Sequence, residues 1–179
     1  SIQYYKRVIL LDNGQESDSL ESVFRGIQRF YYVKEDSAFI QHQHGMDKIL
    51  NSLYTTNNLP WILERSAVEV IQNYLYYVPQ SKVLNHLVYE YQLYQELTNI
   101  MHNYETMSDY IFIRAQNGNN LSTKIVLEEA DLVMIELPQD FDVLDEFFEN
   151  YSSICHKAIY VFSQYKTNSI SVYQIMEKY

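Results

Sequence analysis

In this 179-residue chain the residues able to do chemistry stand just beyond runs of apolar ones. Asp12 closes 7-RVILLD-12 and is followed by Asn13, Gly14 and Gln15. Gln80 and Ser81 follow Pro79. Arg114 closes the apolar part of 108-SDYIFIRAQNG-118, and Gln116, Asn117 and Gly118 come next. Pro138 to Asp140 and Ser163 to Tyr165 occupy the same kind of place. In a parallel α/β sheet, sites form at the carboxyl ends of strands, near the point where strand order reverses. A carboxylate there can hold a metal that bridges phosphate oxygens. An arginine cannot ligate Mg²⁺, whose ligands are oxygens, although its guanidinium fork suits phosphate oxygens directly. Arg114 is therefore the residue that most needs explaining.

Other chemistries find little support. A phosphate-cradling loop needs G-x-x-x-x-G-K-[ST], and 118-GNNLSTK-124 has the residue types in the wrong order. No G-x-G-x-x-G, G-x-S-x-G or H-E-x-x-H occurs. His42 and His44 have a spacing a metal could use, but a polar loop with two ordinary histidines explains 41-QHQHG-45 more economically. The lone cysteine, Cys155, can form no internal disulfide and is read as a small buried residue. The acids of 140-DFDVLDEFFEN-150 read as a solvated helix face with capping residues at its start, and Glu128 and Glu129 likewise.

Elements must position these residues. A continuous apolar run closed by Asp12 and the turn pair Asn13-Gly14 predicts a short buried strand. Ser17-Asp18-Ser19 predicts the start of a helix over 19–30 with Leu20, Val23, Phe24 and Ile27 on one face. Helices are also predicted over 46–55 and 60–71, the latter with Pro60 in its first turn. A strand over 73–81 ends at Pro79. From 82 to 107, Leu84, Leu87, Val88, Tyr91, Tyr94, Leu97, Ile100, Met101 and Tyr104 recur at helical spacing, with no glycine or proline between them. Strands at 110–113, 132–137 and 158–162 alternate with helices at 122–130, 141–151 and 169–178. Asp140 or Asp142 is placed to cap the second of these helices, whose inner face is Val143, Leu144, Phe147 and Phe148. Alternating strands and helices predict right-handed crossovers and a mostly parallel, doubly wound α/β sheet with helices on both faces.

Composition narrows the function classes. The formal net charge is −10, and no run of lysine and arginine offers a patch for a phosphate backbone, so nucleic acid is not an expected partner. No apolar run reaches the ~18 residues that a membrane-spanning helix needs, and no signal peptide is visible. The 18 tyrosines fit a core rim or an interface, although an A/T-rich coding bias accounts for them as well.

Several short motifs, in order, resemble the ParA/MinD family of deviant P-loop ATPases. The segment 108-SDYIFIRAQNG-118 is similar to that family's "YDyIiID.ppG" strand. The segment 125-IVLEEADLVMIELPQDFDVLDEF-147 is similar to "aADlvlivlpqd", and 158-AIYVFSQY-165 to "k.i.vvlN". Upstream, 6-KRVILLDNGQ-15 resembles "kkVLLiDlDpQ" and 73-NYLYYVPQS-81 resembles "gl.viPa". The likeness covers about 6–165 and looks most like the TadZ and CpaE proteins of pilus assembly. It implies one domain over 1–179 with a P-loop NTPase-like fold. The family's first strand, phosphate loop and first helix would precede Lys6, so either they lie upstream of Ser1 or the protein lacks them.

Carried over position by position, the resemblance puts Asp12, Gln15, Arg114, Gly118 and Ser163 at the nucleotide-binding positions. It also implies that the machinery is degenerate. Asp12 matches the first carboxylate of the "DxD" pair, and Gly14 stands at the second. Arg114 replaces the Asp that organises magnesium, and Ser163 replaces the adenine-reading asparagine. The resulting expectation is a non-catalytic ParA/MinD-like scaffold or localisation subunit, with neither cofactor nor metal. Its partners would be proteins of a pilus or secretion assembly, a second copy of the chain being one candidate. It would sit in the cytoplasm and be recruited by partners to the membrane or a cell pole. Arg114 would then pair with a carboxylate such as Asp12. The alternative is a nucleotide-binding switch, using ATP and Mg²⁺, whose phosphate loop lies upstream. A phosphoacceptor receiver is a third reading. It requires an acidic pair, an Asp and a Lys where this chain offers one Asp and then an arginine.

Overall fold

The computed structural model describes residues 6–14, 20–24, 45–53, 58–81, 86–115, 120–162, 165–167 and 169–179. The chain forms two compact units, Ser1–Val126 and Leu127–Tyr179. In the first, β1 (Val8–Asp12) lies inside a four-stranded sheet of order β2-β3-β1-β4. The neighbours are β2 (Val68–Ile71), β3 (Leu75–Val78) and β4 (Tyr110–Arg114). β1 runs parallel to β3 and to β4, while β2 runs antiparallel to β3. Both edges of β1 are paired, as its unbroken apolar run demands. The fold class is that expected: α/β, with a mostly parallel sheet and helices.

Successive residues of a strand point to opposite faces. Ile9 and Leu11 of β1 join Val78, Ile111 and Ile113 under four helices. These are α1 (Met46–Leu53), α2 (Leu59–Ser66), α3 (His86–Met107) and the start of α4 (Leu121–Glu129). The opposite face carries Leu10, Tyr77 and Val68, which pack with Leu20 and Phe24. Farther along that face Tyr110 and Phe112 of β4 are exposed.

Three sequence expectations change in the first unit. The helix foreseen over 60–71 stops at Ser66, and 68-VEVI-71 is strand. The alternating β-branched residues and the turn at Asn73, whose φ is +66°, suit a hairpin into β3 better than a third helical turn. Asn58 caps α2, accepting from the Trp61 N–H at 3.2 Å, with Pro60 in the first turn as foreseen. On α3 the buried face is Tyr89, Leu93, Leu97, Ile100, Met101 and Tyr104, whereas Leu87, Val88, Tyr91 and Tyr94 face solvent. The helix is apolar on two sides, so periodicity found it but tertiary packing chose its phase. The helix expected over 19–30 is a 3₁₀ turn at Leu20–Val23 where described. Its remainder, together with Leu84, His42 and His44, lies outside the described residues.

In the second unit β5 (Val133–Leu137) pairs in parallel with β6 (Ala158–Phe162). Leu137, Leu144 and Ile175 form its core with α5 (Phe141–Asn150) and α6 (Val172–Lys178). Asp140 caps α5, accepting from the Asp142 N–H at 2.9 Å. Val143, placed on the inner face by the sequence, is exposed. Cys155, expected to be buried, is half-buried in a 3₁₀ turn (Ser152–Lys157), where its thiol donates to the Tyr151 carbonyl at 3.6 Å. Ser171 and Gln174 close a capping box on α6.

Lys178 and Tyr179 both donate to Asp145. The hydrogen bond from Lys178, then that from Tyr179, holds the Asp145 carboxyl below its ordinary value. Its contribution to stability is therefore present above the unfolded carboxyl's pKa and is lost as pH falls through the depressed folded one. A ¹³C titration should place Asp145 below the usual carboxylate range, and Lys178→Ala should return it upward. An unmoved titration in that variant would show that the ammonium is not the cause.

Candidate functional site

The carboxyl ends of β1, β3 and β4 bring Asp12, Asn13, Gly14, Gln80, Ser81 and Arg114 to one end of the first unit's sheet. Asp12 is fully buried and lies opposite Arg114 in the β1–β4 register. The Arg114 guanidinium donates through Nη1 to Asp12 Oδ1 at 3.3 Å, so the expected ion pair forms. Gly14 N–H donates to the same oxygen at 3.1 Å. The other oxygen, Oδ2, accepts from Leu20 N–H at 2.9 Å and from the Tyr77 hydroxyl at 3.0 Å. An ionised carboxylate has about four lone-pair directions, and here four donors meet it. The group ties together β1, β3, β4 and the 3₁₀ turn.

Asn13 extends the network. Its backbone N–H donates to the Arg114 carbonyl at 2.9 Å, lengthening the β1–β4 ladder by one residue. Its side-chain amide donates to Ser122 Oγ at 3.1 Å and accepts from the Tyr89 hydroxyl at 3.0 Å. Burial pushes the Tyr89 phenol well above its ordinary value, helped by the charges of Asp47, Glu90 and Asp12. Tyr89 is thus a fixed donor. Ser81 donates to Asp47, a buried residue at the start of α1. Gln80 is buried, and its side-chain amide meets no hydrogen-bond partner among the described residues. Gly45 stands just before α1 with φ +88°, and a Cβ there would lie 2.9 Å from the Pro79 carbonyl oxygen.

Of the five positions singled out by sequence, the structure brings together Asp12 and Arg114. Gln15, Gly118 and Ser163 lie outside the described residues. Sequence reasoning missed Tyr77, Tyr89 and Ser122.

A divalent cation needs free oxygen ligands. The Asp12 oxygens are occupied by donors, one of them a guanidinium, and Gly14 offers no side chain. The described residues of this site do not fit a metal ion. Among the described residues no group of three His, Cys, Asp or Glu side chains is arranged to hold one.

Solved structures share this arrangement of strands and helices. A ParA family ATPase from Chlorobium tepidum TLS superposes with a TM-score of 0.61 at 14% identity, covering 96% of this chain and 67% of its own. MinD, in the MinC:MinD cell division complex of Aquifex aeolicus, gives 0.62 at 15% identity, covering 98% and 66%. A plasmid partition protein from Borrelia burgdorferi gives 0.58 at 15% identity, covering 93% and 69%. The fold is that of the ParA and MinD ATPases. At these identities the likeness concerns the fold alone, and the chain spans about two thirds of the length of these ParA/MinD structures. The sequence matches no protein-family model and no curated protein at a significant level. No described helix is long and apolar enough to cross a membrane.

Proposed function

We propose that this chain is a ParA/MinD-like subunit that works through protein contacts rather than nucleotide hydrolysis. It acts as a scaffold or localisation subunit of a larger assembly, of which a pilus or secretion machine is the type its motifs resemble most. Residues 1–179 are taken as one ParA/MinD-like domain, since single ParA and MinD chains cover 96% and 98% of it. The observation that carries the reading is the Asp12–Arg114 pair. Phosphoryl transfer in P-loop enzymes depends on carboxylate-held metal and positioned cations. Here an internal guanidinium is the counter-ion of the carboxylate instead. Protein partnering is supported by the MinD neighbour, which was solved in complex with MinC.

Thermal shift of the full-length protein with millimolar ATP or ADP and Mg²⁺ tests the reading. A ligand that binds only the folded state raises the midpoint in proportion to RT ln(1 + [L]/Kd). No shift is expected. A rise of about 3 °C or more would mean binding with a Kd of about a few tenths of a millimolar or tighter for a domain of this size. That result would favour the nucleotide-switch reading, with a phosphate loop supplied from outside residues 1–179.

A further inference from the structure

We propose that Gly14 and Arg114 act as one unit. The missing side chain at Gly14 is the seat of the guanidinium, and the seated guanidinium makes Asp12 a closed structural carboxylate that takes no divalent cation. This extends the proposed loss of nucleotide chemistry to a second position, and its test reads stability and metal binding, so it fails separately from the nucleotide screen.

Glycine usually holds its place because φ is positive there. Gly14 is not among the positive-φ glycines of the described residues, so its backbone conformation is open to any residue. Space sets the requirement instead. A Cβ at Gly14 would lie 2.5 Å from Arg114 Nη1, 2.9 Å from Arg114 Cζ and 3.0 Å from Asp12 Oδ1. Real Cβ atoms do not sit that close to a neighbour, and the guanidinium is the end of a flexible chain. An alanine would therefore dislodge Arg114 and leave the backbone in place. Asp12 would then keep its bonds from Tyr77, Leu20 and Gly14 and lose its cation. The change at 14 and the arginine at 114 make sense only together: a side chain at 14 leaves no room for the guanidinium, and Asp12 without it is a buried carboxylate lacking a counter-charge.

A double-mutant cycle isolates this coupling. Gly14→Ala alone should lower the folding equilibrium constant about tenfold, the order expected for losing a charge-assisted hydrogen bond. In an Arg114→Met background the same change should cost less than about twofold. Equal costs in both backgrounds would overturn the proposal, because Gly14 would then serve the backbone itself. Where Gly14→Ala does not fold alone, the Gly14→Ala/Arg114→Met protein decides: folding as well as Arg114→Met supports the unit, and failure refutes it. If Arg114→Met does not fold, Arg114→Lys, which keeps the charge on a slimmer head group, replaces it as the background. Electron paramagnetic resonance with Mn²⁺ alone supplies a second readout. The natural protein should leave millimolar Mn²⁺ free, and binding that Asp12→Asn abolishes would overturn the closure.

Discussion

Replacing Asp12 by alanine is expected to lower the stability of the first unit by about 4 kcal/mol, more than any other single change at the site. The carboxylate accepts from Gly14, Leu20, Tyr77 and Arg114, and it is fully buried. Its removal leaves three donors and part of a guanidinium facing a cavity. Arg114, which is 23% exposed, can turn toward water, so the ion pair contributes less than the stranded donors. Trp61, the only tryptophan in the sequence, lies on α2 and reports on this unit. Urea unfolding followed by its fluorescence should show a lower midpoint with an unchanged slope. A loss below about 1 kcal/mol would mean that the donors find other partners and that Asp12 is no hub.

The second large effect is expected from Arg114→Asp, at about 3 kcal/mol at pH 7. This variant sets a second carboxylate beside a buried one and removes the only cation seen to pair with Asp12 among the described residues. Of two carboxylates sharing a site, one holds its proton to higher pH. The deficit should therefore shrink as pH falls and one carboxyl takes up a proton. Urea midpoints at pH 7 and pH 5 measure this. The variant also returns an acid to the place where ParA/MinD-like motifs carry one. Under the proposed function it should show no Mg²⁺-dependent ATP hydrolysis, and turnover with Mg²⁺ would overturn that reading.

What could be read from the sequence follows from which interactions are local. Runs such as 8-VILLD-12 and 133-VMIEL-137 announce strands, and Pro60 and Asp140 announce helix starts, because these signals act within four residues. The short β2 was hidden because 68-VEVI-71 continues the apolar spacing of α2 closely enough to mimic one more turn. The phase of α3 was hidden because both of its sides are apolar, and only the neighbouring α2 and sheet select Leu93 over Tyr94. At the site, the Asp12–Arg114 pair was legible through a resemblance of motifs, not through chemistry at that separation. The hydroxyls of Tyr77 and Tyr89 reach residues 65 and 76 positions away, and no pattern within the chain marks such partners.

The central place of β1 sets the order in which the chain can fold during synthesis. Domains form as units while the ribosome adds about 5–20 residues per second. The partner strands of β1 are β3 and β4, and Arg114 lies 102 residues beyond Asp12. For about 5–20 s after Val8–Asp12 is made this apolar strand lacks β4, and even its pairing with β3 waits for distant residues. The second unit is under no such delay, since β5 and β6 are joined within a single short stretch. The first unit therefore keeps an incompletely paired apolar strand for longer during synthesis, and the arrival of β4 completes its pairing.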